Sequence, residues 1–137
     1  RELIGAYVSS ENDCFFCQNV HGAMAQHYLQ SDMQFIDDIK KDYLSTPVSP
    51  KLKALLTIAG SVQKGGKSVT AGQVEHAQSL GATDKEIHDT VLIAAAFCMF
   101  NRYVDGLNTW APQDRQLYVD RAKMRAEDGY ANMNLNK

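Results

Sequence analysis

Apolar positions recur along this chain at spacings of three and four residues and hardly ever in strict alternation, which predicts helices and almost no strands. Residues 2 to about 10 read as one helix (Leu3, Ile4, Ala6, Tyr7, Val8), stopped by the polar cluster at 9–13. A second starts near Cys14, with Asn12 or Asp13 as N-cap, and runs to about Gln30. Ser31 with Asp32 opens a third, with Phe35, Ile36, Ile39 and Tyr43 on one face. After a loop at 45–49, Ser49 caps a fourth helix with Pro50 in its first position, where the missing N–H costs nothing; Lys64-Gly65-Gly66 ends it. Thr70 with Gln73 and Thr83 with Glu86 are capping boxes. The first opens a short helix that ends at Gly81, and the second opens the longest, about 84–107. From Ile87 through Tyr103 that helix is apolar on most faces, which predicts a central position. Pro112 starts a last amphipathic helix ending at Gly129, and the Asn-rich tail, Tyr130 to Lys137, reads as a flexible arm. Repeats and long linkers are absent. The expectation is one all-α domain over residues 1–137, with six to seven helices.

Length and charge narrow the functions. A chain of 137 residues buries about two thirds of its unfolded surface, so its core needs neither disulfide nor structural metal. Lys and Arg number 14 against 16 Asp and Glu, a net charge of −2, which leaves no basic footprint for a nucleic acid. The longest apolar run, Val91 to Phe100, is half the roughly 20 residues that cross a bilayer, so no membrane is expected. Three cysteines, an odd number, argue against an extracellular disulfide framework and for buried or reactive thiols; a cytoplasmic protein is expected. The chain opens at Arg1, without methionine, directly into helical pattern, which predicts that a further segment precedes it.

The chemistry concentrates in Cys14, Cys17 and His21, a C-x-x-C-x-x-x-H pattern. Offsets of three and four residues place all three on one stripe of the second helix. Both sulfurs fall in its first turn, where unpaired backbone N–H groups and the dipole favour a thiolate. His21, one turn beyond Cys17, is placed to take its proton. Two thiols add a safeguard: once Cys17 is oxidised, Cys14 can close a disulfide and prevent over-oxidation. A carboxylate would orient and charge the imidazole. Glu2 is the candidate, because an antiparallel helix pair brings it level with the third turn of the second helix; Glu11 is the rival, but it sits in the turn.

Glu2 followed by Cys14-Phe15-Phe16-Cys17-Gln18-Asn19-Val20-His21 resembles the active-site signature of the AhpD-like alkylhydroperoxidases, within the carboxymuconolactone decarboxylase superfamily. The stretch Ala94 to Phe97 and Asn101 to Asp105 resembles the long helix of its peroxidase-related members. The resemblance implies an AhpD-like helical domain that reduces organic hydroperoxides or related disulfides, without metal or organic cofactor, as a homotrimer or homohexamer. It implies Cys17 as the peroxide-attacking thiol, Cys14 as the resolving thiol, His21 as the base and Glu2 as a proton relay, often through water. An external dithiol or thioredoxin-like donor would reset the disulfide. Two departures stand out. Phe16 occupies a place where the best-known members carry histidine, and the helices that normally precede Glu2 are not in this sequence. The true decarboxylases lack the cysteine pair.

Other readings compete. Cys14, Cys17 and His21 are three quarters of a zinc site, with His27, His76, His88 or Cys98 as a fourth ligand, but there is no second knuckle-like pair. Gln18, directly after Cys17, breaks the haem-attachment pattern. The pair could also serve thiol–disulfide exchange, or be regulatory on a helical oligomeric binding module. Cys98, between Phe97 and Met99, reads as core. His27, His76 and His88 read as surface or satisfied side chains, and Arg102 with Asp105 as an i,i+3 ion pair. Phe15, Phe16, Tyr7 and Tyr28 are expected to make the site apolar, suiting an organic hydroperoxide.

Overall fold

The computed structural model describes residues 1–128. Among them the chain forms α1 (Glu2–Glu11), α2 (Phe15–Leu29), α3 (Met33–Asp42), α4 (Pro50–Lys64), α5 (Ala71–Ser79), α6 (Asp84–Gly106) and α7 (Gln116–Asp128), with short 3-10 turns at Tyr43–Ser45 and Gly66–Ser68 and no strand. The fold is all-α. The expected end of the last helix at Gly129 and the tail from Tyr130 to Lys137 lie outside the described residues.

Local signals set most helix starts. The Asp32 carboxylate accepts the Phe35 N–H at 2.8 Å and the Ser49 hydroxyl accepts the Leu52 N–H at 3.2 Å. Both capping boxes form completely, Thr70 with Gln73 and Thr83 with Glu86. Two starts differ from expectation. The N-cap of α2 is Cys14 itself, in extended conformation, not Asn12 or Asp13. Pro112 lies in the loop before α7, where its carbonyl accepts the Tyr118 hydroxyl at 3.0 Å; Asp114 instead receives the Gln116 N–H at 3.0 Å and starts the helix.

The enclosed helix is α1, not α6. Every residue from Leu3 to Ser9 is buried, with α2, α3, α4 and α6 packed around it. Its small residues (Gly5, Ala6, Ser9) let neighbours approach on all sides. Leu3, Ile4, Tyr7 and Val8 join Ile36 and Ile39 of α3 and Leu55, Leu56, Ile58 and Ala59 of α4 in the main core. A second cluster joins Val20, Ala23 and Met24 of α2 to Tyr118 and Ala122 of α7. Beside it Arg115 makes a bidentate pair with Asp37 at 2.8 and 2.9 Å and donates to Asn19 at 2.8 Å, binding α7 to α2 and α3.

The long helix forms as expected, but its apolar composition overstates its burial. Only Thr90, Ala94 and Asn101 are buried in α6. Its neighbours cover one side, and Leu92, Met99, Phe100 and Tyr103 are exposed on the rest. None of the described helices is long and apolar enough to cross a membrane.

Candidate active site

The site is built on the corner between α1 and α2. The N–H of Cys14 bonds the Ser9 carbonyl at 2.9 Å and that of Asp13 bonds the Ser10 carbonyl at 3.0 Å. This is a Schellman closure, with Asp13 at φ 57° in the left-handed position that usually takes glycine. Cys14 therefore ends one helix's closure and begins the next helix. That double duty fixes its backbone from both sides and puts Cys17 one turn into α2.

Both sulfurs are covered, Cys14 fully and Cys17 at 5% exposure. No disulfide joins them. Burial foremost, then contact with Cys17 and with the Asp105 carboxylate, pushes the Cys14 thiol well above its ordinary range, although the Cys17 N–H pulls the other way. The expectation that the first turn favours a thiolate thus fails for Cys14: desolvation and a facing carboxylate outweigh the helix end. Beneath the corner runs a polar network. Asn101 donates to the Ser9 hydroxyl at 2.9 Å, and Asn12 donates to Asn101 at 2.9 Å and to the Cys98 sulfur at 3.5 Å. Gln63 of α4 donates to Asn12 at 3.0 Å. Buried groups that are all partnered hold one arrangement.

The other end of the site is the imidazole. Glu2, in the first turn of α1, lies 2.6 Å from His21 Nδ1. An ionised carboxylate only accepts, so Nδ1 is the donor of this contact, and Nε2 is the ring nitrogen left for other partners. The helix hairpin makes the contact, since α1 and α2 run back along each other. No hydrogen bond joins His21 directly to Cys17 among the described residues, so proton exchange between them needs a water or a substrate oxygen. The rings of Phe97 and His21 pack perpendicular to each other, with centroids 4.5 Å apart at 90°. Gly5 makes room for Phe97: a Cβ at residue 5 would lie 2.6 Å from the ring. A cavity of about 370 Å³, lined by Glu2, His21, Ile93, Phe97 and Phe100 among others, opens beside the pair.

Several sequence expectations find different places. The apolar wall comes from Phe97 and Phe100 of α6. Phe15 and Phe16 pack on Tyr118, with centroids 6.4 and 6.1 Å away, Tyr7 sits in the core against Tyr43, and Tyr28 is 59% exposed. Arg102 donates to the Cys98 carbonyl of its own helix at 2.6 Å and makes no ion pair with Asp105; Asp105 turns to Cys14 instead. Cys98 is half-buried at the edge of the core. His27, His76 and His88 are exposed, and Glu11 contributes only its carbonyl, to Gln63. Asp105, Asn101 and Asn12 are site residues that sequence reasoning missed; the one signal was polar residues 101 and 105, four apart, just beyond the apolar stretch of the helix. Among the described residues, no group of three or more His, Cys, Asp or Glu is arranged to hold a metal ion.

Seven helices among the described residues, a paired-cysteine corner and a carboxylate–imidazole pair define a class, the all-α proteins with a dithiol at a helix start. Residues 27–111, more than half of the chain, match the carboxymuconolactone decarboxylase family, and the chain belongs to that family. The matched stretch begins beyond His21, so Cys14, Cys17, His21 and Glu2 lie outside it. Two solved structures are similar. An uncharacterized peroxidase-related protein from Silicibacter sp. TM1040 is 27% identical with a TM-score of 0.74, over 84% of this chain and 60% of its own. An alkylhydroperoxidase AhpD core, an uncharacterized peroxidase-related protein from Ralstonia eutropha JMP134, is 27% identical with a TM-score of 0.77, over 85% of this chain and 61% of its own. The chain thus spans about three fifths of the length of these relatives. No curated protein matches it.

Proposed function

We propose that the chain is a cysteine-based peroxidase that reduces organic hydroperoxides through a Cys14–Cys17 dithiol/disulfide cycle. The observation that carries this reading is the 2.6 Å contact between Glu2 and His21, on the same helix face as the cysteine pair. The Cys17 thiolate attacks the terminal peroxide oxygen, the O–O bond breaks, and the alcohol leaves with a proton relayed by His21 while Glu2 stabilises the imidazolium. Cys17 is then a sulfenic acid. Cys14 gives up its proton as its sulfur attacks that of Cys17; a disulfide forms, and the displaced hydroxide takes the proton and leaves as water. An external dithiol or thioredoxin-like donor reduces the disulfide and is itself oxidised. The 5% exposure of Cys17 leaves room for a slim peroxide head group, and the aromatic wall suits an organic peroxide. The uncovered flank of α6 supports association into a homotrimer or homohexamer.

Thiol titration before and after one equivalent of cumene hydroperoxide tests the cycle. Two thiols per chain should disappear within seconds. Cys17→Ser should lose none, and Cys14→Ser should yield one turnover and a trappable sulfenic acid. Full peroxide consumption by Cys17→Ser would sink the assignment.

A further inference from the structure

A second concavity lies on the α7 side of the cysteine corner, apart from the imidazole cavity. It measures about 290 Å³, near the lower end of the range for small-molecule sites, roughly 300–1,000 Å³. Its walls include Phe16 and Val20 of α2, Trp110 of the loop before α7, and Leu117, Arg121 and Arg125 of α7. The apolar walls are built firmly: Phe16 packs edge-on against Tyr118, which bonds back to Pro112. Trp110 is nonetheless 71% exposed and Leu117 38%. Arg121 and Arg125, four residues apart, share one face of α7. Among the side chains described, those of residues 1–127, neither has an ion-pair partner, whereas Arg115, just before α7, is locked to Asp37. The positive charge of Arg121 is felt at the groove wall, where it opposes the rise that burial imposes on Tyr118.

From these features we infer that the groove between the first turn of α2 and α7 binds an amphipathic organic anion, its alkyl or aryl body against Phe16, Trp110 and Leu117 and its carboxylate on Arg121 and Arg125. A guanidinium offers a planar fork of donors that fits a carboxylate, and the apolar surface beside it gains by being covered. A neutral or cationic amphiphile would find the same walls without the charge match. The site stands whether or not Cys17 reduces peroxides.

Trp110 is the single tryptophan of the chain, so its emission reports the groove directly. The chain is titrated with decanoate, decanol and decyltrimethylammonium. Decanoate should shift Trp110 emission to the blue in a saturable way, with decanol about tenfold weaker and the cation weaker still. The double variant Arg121→Gln, Arg125→Gln should weaken decanoate about tenfold and leave decanol unchanged. Equal binding of all three amphiphiles, no response to decanoate, or an unweakened double variant would overturn the inference. So would an emission that follows protein concentration instead of decanoate, which would assign the groove to a contact between copies. Cys17→Ser should bind decanoate like the unaltered chain, which separates this result from the fate of the peroxidase reading.

Discussion

Around Cys14 the structure is closed: the thiol is fully buried, its backbone is fixed by two helices, and Ser9, Asn12, Gln63 and Asn101 are joined beneath it. Around His21 it is open: the imidazole borders a cavity of about 370 Å³ and is steered by one carboxylate and one aromatic ring. The contrast separates two tasks. In the proposed cycle, the resolving sulfur must be held beside its partner until it is called on, which burial and a fixed backbone provide. Moving protons to and from an incoming molecule needs a group that such a molecule can reach.

The largest effect should come from the open end. His21→Ala is expected to slow peroxide consumption by 10²–10⁴-fold, the usual worth of a positioned acid–base group, with little change in the unfolding midpoint. A stopped-flow trace beside a urea curve reads both, and an unchanged rate would erase the functional half of the contrast. Next is the closed end. Asn101→Ala strands the buried Ser9 hydroxyl and takes one acceptor from the half-buried Asn12 amide, and should cost about 2–3 kcal/mol in urea unfolding. A loss below 0.5 kcal/mol or so would show that the network is not holding the corner.

Glu2→Gln keeps the shape of the carboxylate but not its charge, so the rate should fall about tenfold, roughly 1.4 kcal/mol. A larger fall than for His21→Ala would mean that Glu2 acts by itself. The smallest effect is a slope. The folded chain holds the Cys14 proton above its ordinary value of 9.0, whereas the unfolded chain releases it. Stability from this group is thus complete below about pH 9 and declines as pH rises further. Tyr7 and Tyr118, also raised, start from 10.0, so the interval between about pH 9 and 10 isolates the thiol. Cys14→Ser should flatten unfolding free energy across that interval; an equal slope in both proteins would contradict the closed-end picture.

What could be read from the residues alone divides by distance along the chain. Capping boxes at Thr70 and Thr83, the Asp32 and Ser49 caps, and the helix count rest on neighbours three or four residues apart, and they were legible. So was the approach of Glu2 to His21, because one short turn between two helices fixes it. The corner itself was misread, since Asp13 takes a left-handed conformation that its side chain does not announce. The contacts of α6 were not legible: Asn101 meets Ser9 across 92 residues, and nothing local distinguishes Asp105 facing Cys14 from Asp105 facing Arg102. The same limit applies to burial. Small residues hid the fact that α1, not the more apolar α6, would be enclosed.

Gly5 carries a consequence beyond its own helix. Phe97 rests where a methyl on residue 5 would have to be, and the imidazole leans on that ring. A hydrogen atom in place of a methyl thus sets the depth of an aromatic wedge, and through it the stance of His21. Enlarging this residue would push on the imidazole from behind, without touching the face it turns to the cavity.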